Sequence, residues 1–156
     1  MRFSTNAIMP VPNVTDQIRL IARSFPSAQP MSNRVESVRI AVLDDYQNVA
    51  LSMADWSGLD KRVTVTMFND HLADPDAVVA HLQSFDVVCV MRERTPMSRA
   101  IVERLPKLRL IASTAPRNVS IDLEAAAERG VGVMHTGYGS TPTIELTWAL
   151  ILASAR

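Results

Sequence analysis

Three groups of residues have the types and spacing to do chemistry. The first is Arg92-Glu93-Arg94-Thr95, which directly follows the apolar run Phe85–Met91. A charged loop between a strand and a helix can offer free backbone N–H groups to an anion. Arginine adds a planar fork that matches a carboxylate. Spacing alone leaves two readings open, an anion-binding loop or a solvated turn in which Glu93 balances its neighbours.

The second group is Asp44-Asp45, at the end of the run Val38–Leu43. An acidic pair there could hold Mg²⁺ in a phospho-receiver domain. That chemistry also needs an aspartate after the third strand and a lysine after the fifth. The third strand ends instead in Met91-Arg92, and no lysine follows Lys107. The third group is the glycines Gly130, Gly132, Gly137 and Gly139. A dinucleotide loop needs G-x-G-x-x-G after a strand and opening a helix. Here the first two glycines precede and enter a strand, and the second pair runs into Thr141-Pro142. They read as turn and cap residues, so this chain carries no dinucleotide fingerprint.

The remaining reactive side chains promise less. His71 and His81 do not have metal-ligand spacing, and no cysteine or acidic cluster joins them, so no metal site is expected. Spacing names no catalytic partner for His135, and each histidine reads as structural or solvent-facing. Cys89 lies inside an apolar run and reads as a buried, inert thiol. No catalytic residue is assigned.

These residues must be positioned by alternating strands and helices. Val38–Leu43, Arg62–Phe68, Phe85–Met91, Leu108–Ser113 and Val131–Met134 read as strands. The second alternates Val63, Val65 and Met67 with Thr64 and Thr66, as an outer strand does; the third is nearly continuous, as a central one is. Helices are expected around Val49–Trp56, from Pro75 to Ser84, near Ser98–Leu105, over Asp122–Arg129 and from Pro142 onward. Asp74 and Gly130 supply a cap and a stop. The pattern predicts an α/β fold: a flavodoxin-like five-stranded parallel sheet of order 2-1-3-4-5, with flanking helices. Function then belongs at the carboxyl ends of the strands.

Composition bounds the partners. The chain has 156 residues, 47% hydrophobic and 21% charged, which suits one globular domain. Sixteen basic residues balance sixteen acidic ones, so no field draws it to nucleic acid or to a membrane. No apolar run approaches the roughly 20 residues of a membrane span. One cysteine permits no intrachain disulfide, and a cytoplasmic location is expected. Residues 1–36 hold four of the nine prolines and little periodicity. They read as a disordered extension; their arginine and serine content also suits a transit peptide. Residues 37–141 are expected to form the domain, with a last helix over 142–156.

From Leu105 onward the chain resembles the D-isomer-specific 2-hydroxyacid dehydrogenases, which include phosphoglycerate dehydrogenases and glyoxylate/hydroxypyruvate reductases. The residues carrying this are Leu105–Thr114 (LPKLRLIAST), Arg117–Ala126 (RNVSIDLEAA), Gly130–Val133 (GVGV), Thr136-Gly137 and Glu145–Ala153 (ELTWALILA). Arg39–Ala50 (RIAVLDDYQNVA) and Asp55–Leu59 are similar to one branch, so the resemblance covers about residues 38–156.

That resemblance implies a substrate-binding half holding a small 2-hydroxy or 2-oxo acid against an NAD or NADP nicotinamide. The nicotinamide is carried by a Rossmann domain expected beyond Arg156. The loop after the third strand would bind the acid through Arg92, Glu93, Arg94 and Thr95, with Thr95 also touching the cofactor. Arg117 and Asn118 would stand at the cleft edge. The family's catalytic arginine, glutamate and histidine would lie in the other half, leaving this chain inactive alone. The alternative is a stand-alone acid-binding or dimerisation module. Ala115-Pro116 and Thr141–Ile144 depart from the family pattern, the first where glycine is common. The last helix is apolar on nearly every face, which suits burial all round; the resemblance implies that residues 142–156 start the interdomain hinge helix and join a homodimer contact. Alone, it would expose a patch that invites association.

Overall fold

The computed structural model describes residues 37–53, 56, 57, 59, 61–114, 117–137 and 141–154. Expectations for the extension 1–36, for Gly58, for Ala115-Pro116, for Gly139 and for the side chains of Thr141 and Pro142 lie outside the described residues.

Five strands alternate with helices: β1 (Val38–Val42), β2 (Val63–Met67), α1 (Pro75–Leu82), β3 (Val87–Val90), α2 (Arg99–Val102), β4 (Leu110–Ser113), α3 (Leu123–Glu128), β5 (Gly132–His135) and α4 (Thr141–Ser154). The strands form one sheet of order β2-β1-β3-β4-β5, the order expected from the sequence. All four pairings are parallel, with Ile40 opposite Val65 and Val87, and Cys89 opposite Ala112. β3 is central and all four of its residues are buried, whereas edge strand β2 is only partly covered.

Alternation along each strand divides the core between the two faces of the sheet. Ala41, Val88, Val90 and Ile111 pack on one face with Val79, Leu82 and Val102 of the helices. Ile40, Val42, Val87, Cys89 and Leu110 pack on the other, against the partly buried Trp56 and Leu59. Each fully buried branched side chain contributes roughly 1.5–3 kcal/mol by leaving water. Helix ends follow local chemistry. Asp74 accepts the Asp76 N–H at 3.2 Å, with Pro75 opening α1. Asp122 accepts the Ala125 N–H at 2.8 Å to open α3, and Gly130 stops the chain at φ +68°.

Two expected helices are altered. Residues 49–53 form turns instead of a helix. The Asp45 carboxylate takes the N–H groups of Val49 and Ala50 at 3.0 Å each, so side chain and backbone compete for the same donors. Trp56 then donates Nε1–H to the Ala50 carbonyl at 3.0 Å. α2 is confined to Arg99–Val102, because the Arg104 N–H turns back to the Ile101 carbonyl and tightens the chain.

Cys89 is buried and its thiol is pushed up to about 12 by desolvation, from an ordinary value of 9.0. A native-state maleimide reaction at neutral pH is expected to be slower by orders of magnitude than in urea. Folding holds the proton more tightly than the unfolded chain does. The Cys89 contribution is therefore intact below pH 9.0 and is lost as pH rises toward about 12, which urea titrations at alkaline pH will show.

Candidate functional site

In an open sheet of this order the crevice lies between the carboxyl ends of β1 and β3, where the strand order reverses. The residues at those ends are Asp44-Asp45-Tyr46 and Arg92–Thr95. Two of them have left-handed backbone, Asp44 at φ +59° and Arg92 at φ +53°. For a residue with a Cβ that conformation costs roughly 1–2 kcal/mol. The surrounding bonds must offset it.

For Arg92 those bonds come from the loop after β4. Its N–H donates to the Thr114 hydroxyl at 3.1 Å, and its carbonyl accepts from the Asn118 amide at 2.5 Å. Asn118 is held in turn, since its Oδ1 accepts from the Ser120 N–H at 3.0 Å and the Ser120 hydroxyl at 2.7 Å. Just beyond, Met97 and Ile121 form a parallel bridge through Met97 N–H to Ser120 carbonyl (2.9 Å) and Asp122 N–H to Met97 carbonyl (3.0 Å). Met97 is fully buried at that junction. The loop after β3 is thus fastened to the loop after β4.

For Asp44 they come from β3 and the segment after β2. Its side chain is 3% exposed. Oδ2 accepts the Thr95 hydroxyl at 2.7 Å, and Oδ1 faces His71 Nδ1 at 2.9 Å. The Arg94 guanidinium reaches the Asp44 carbonyl at 3.4 Å and lies over the Tyr46 ring, 4.3 Å from its centroid. Asn69 donates to the Asp45 carbonyl at 2.7 Å. Asp44, Tyr46, Asn69, Asp70, His71 and Arg94 line a cleft of about 340 Å³.

The sequence-derived residues are thus brought to one rim, with unequal roles. Arg92, Glu93 and Arg94 are exposed, Asn118 is half-buried beside them and Arg117 is exposed. Thr95 is buried beneath the loop, with its hydroxyl proton directed at Asp44. Asp44, Tyr46 and His71 were not among the expected site residues. The Asp44-Asp45 pair was weighed as a metal site and placed at a functional strand end, and its carboxylates are occupied by backbone and side-chain donors. His71, read as structural or solvent-facing, lines the cleft. The available signal was the strand-end position of both segments. His135 ends β5 on the exposed side, and His81 stacks on Phe68 with centroids 5.5 Å apart. No dinucleotide cradle is formed by the described glycines. Gly130 terminates α3, and Gly132 lies within β5, where an added Cβ would meet Leu110 Cδ1 at 3.3 Å.

A parallel doubly wound sheet, with a cleft at the carboxyl ends of its strands and an arginine-bearing loop on the rim, defines a flavodoxin-like α/β domain. Residues 40–149 match the model of the D-isomer specific 2-hydroxyacid dehydrogenase catalytic domain, and the chain belongs to that family. A glyoxylate reductase of Pyrococcus horikoshii is 38% identical over 127 residues, 81% of this chain and 33% of that protein. A hydroxypyruvate reductase of Blautia hydrogenotrophica is 27% identical over 117 residues, 74% of this chain and 35% of its own length. Among solved structures, the phosphoglycerate oxidoreductase of Vibrio cholerae superposes with a TM-score of 0.67 at 35% identity, covering 76% of this chain and 38% of that one. The chain therefore spans about a third of the length of these relatives. No helix of the described residues is long and apolar enough to cross a membrane.

Thr95→Val leaves the buried Asp44 carboxylate one donor short. It is expected to cost about 1.5–3 kcal/mol of stability in urea denaturation, more than Thr95→Ser, which keeps the hydroxyl.

Proposed function

We propose that this chain is the substrate-binding half of a nicotinamide-dependent D-2-hydroxyacid dehydrogenase, holding a small 2-hydroxy or 2-oxo acid in the crevice between β1 and β3. The observation that carries this reading is the convergence of three strand ends on one rim, through Thr95–Asp44 and Asn118–Arg92. The Arg92 N–H is spent on the Thr114 hydroxyl and the Arg94 N–H on the Met91 carbonyl, so the Glu93 and Thr95 amides and the Arg94 guanidinium receive the carboxylate, as charge-assisted donors. Glu93 and Arg117 border the rim, and Asn118 fixes its edge. Thr95 anchors the loop from beneath and marks where the cofactor approaches. Its hydroxyl proton is already given to Asp44, so toward any further group it can only accept.

NAD or NADP enters through family membership, supported by the matched catalytic-domain model. None of the five glycines forms a dinucleotide fingerprint, so the nucleotide-binding half is assigned to residues other than these 156. Hydride transfer needs nicotinamide and acid in contact. The chain alone is therefore expected to bind without turnover. A cytoplasmic location, and residues 37–141 as the binding domain leading into a hinge helix, belong to the same proposal.

A second reading, self-association through α4, is favoured by its surface. Ile144, Leu146, Trp148, Leu150, Ile151 and Leu152 are each at least 50% exposed. An apolar patch of that kind marks a contact site.

Purified chain is expected to give negligible NADH-dependent reduction of glyoxylate or hydroxypyruvate; turnover matching a full-length relative would overturn the proposal. Adding glyoxylate should shift the amide resonances of Arg92–Thr95 and Asn118, and Arg94→Ala should weaken that binding about tenfold. Shifts confined to other residues would count against the site. Sedimentation velocity should show a dimer that Trp148→Glu converts to monomer.

A further inference from the structure

The cleft that holds Arg94 is also lined by residues that the proposed carboxylate contact does not use. Asn69, Asp70 and His71 are among them. Asn69 is occupied, since its amide donates to the Asp45 carbonyl and to Asn48 Oδ1. That leaves His71 and Asp70 to meet whatever extends from the acid.

The tautomer of His71 follows from its neighbour. Asp44 is buried and already accepts the Thr95 hydroxyl on Oδ2, while Oδ1 faces His71 Nδ1 at 2.9 Å. An ionised carboxylate only accepts, so Nδ1 carries the proton. In the neutral ring Nε2 then holds a lone pair and no hydrogen. The side chain is 51% exposed, which leaves Nε2 on the open half of a ring lining the cleft. Among the described residues none is hydrogen-bonded to it. Asp70, an acidic residue, lines the same cleft. His71 therefore asks for a donor, whereas Arg94 supplies donors.

We infer that His71, oriented by Asp44, is a specificity-determining contact that accepts a hydrogen bond from a hydroxyl on the third carbon of the bound acid. The inference rests on the acid-binding reading above and deepens it. A methyl in that place leaves the Nε2 lone pair unmet. A phosphate or second carboxylate meets a lone pair and the Asp70 charge, both unfavourable. The site thus selects 3-hydroxylated acids over shorter, methylated or dianionic ones.

The test titrates the full 156-residue chain with D-glycerate, D-lactate and D-3-phosphoglycerate, followed by NMR at about pH 8, above the ordinary histidine range. D-glycerate should bind about five- to tenfold more tightly than D-lactate, the effect of one good hydrogen bond. D-3-phosphoglycerate should be the weakest. The imidazole ¹⁵N shifts of His71 should report the Nδ1–H tautomer. His71→Phe should bring D-glycerate affinity down to that of D-lactate. In Asp44→Asn the new amide can donate to Nδ1 and move the proton to Nε2, which should erase the D-glycerate preference and improve D-3-phosphoglycerate binding. Asparagine tolerates the left-handed backbone at that position.

Equal affinity for D-glycerate and D-lactate, an Nε2–H tautomer, tightest binding of the phosphate ester, or a preference surviving His71→Phe would each overturn the inference while D-lactate still binds. Failure of all three acids to bind would instead sink the acid-binding reading, and this inference with it. The tautomer and the preference of the unmodified chain are read without any variant, so an unfolded substitution cannot hide the answer.

Discussion

A carboxylate buried to 3% exposure at the carboxyl end of β1 is the constraint on which the rim depends. Burying such a charge without partners costs several kcal/mol, and its removal from water must be compensated by hydrogen bonds. Asp44 obtains them from Thr95, on the loop after β3, and from His71, on the segment after β2. Neither partner is local in sequence. The sheet order makes the arrangement possible, since β1 lies between β2 and β3 and their carboxyl ends open on the same edge. One acceptor thus fixes three chain segments, and the left-handed backbone at Asp44 is the local cost of pointing it inward.

The other half of the rim is fastened by different means. Arg92 is tied to the loop after β4 through both its N–H and its carbonyl, and the Met97–Ile121 bridge closes the junction behind it. The exposed part of the loop is therefore short, and both of its ends are pinned. Such pinning presets the loop, and ordering a loose segment instead would cost about 0.5–1.5 kcal/mol per side chain. Backbone held in a sparsely populated conformation by surrounding bonds is the pattern found where recognition needs preset geometry.

The fold was largely legible because strand and helix signals here are local. FDVVCVM read as a strand covered on both faces, and RVTVTMF alternated as an edge strand does. Asp74-Pro75 and Gly130 marked helix limits that the structure keeps within a residue or two. The short helix expected over Val49–Trp56 failed for a reason equally local but invisible in periodicity: Asp45 captures two backbone donors that a helix would need. Of the rim, the Arg92–Thr95 loop and Asn118 were legible from position and family resemblance. His71 was not, because its meaning lies in a partner 27 residues away. Nor did the pattern tell that Thr95 turns its hydroxyl inward, since a threonine in a loop carries no mark of which side it faces.

α4 poses the opposite problem, an excess of apolar surface over available core. The faces of β3 and β4 are already closed by the two clusters, and those strands are buried throughout. The large side chains of α4 remain half or more exposed, so the sheet gains little from them. At roughly 1.5–3 kcal/mol for each large aliphatic side chain removed from water, covering one stripe of this helix would outweigh many polar contacts. A surface helix that served only its own domain would carry a polar face, and α4 offers Glu145, Thr143, Thr147 and Ser154 against apolar residues on every side. The hydroxyls of Thr147 and Ser154 are moreover returned to its own backbone, on the Thr143 and Ile151 carbonyls. Covering the apolar surface of this helix is therefore a separate event from the folding of the sheet.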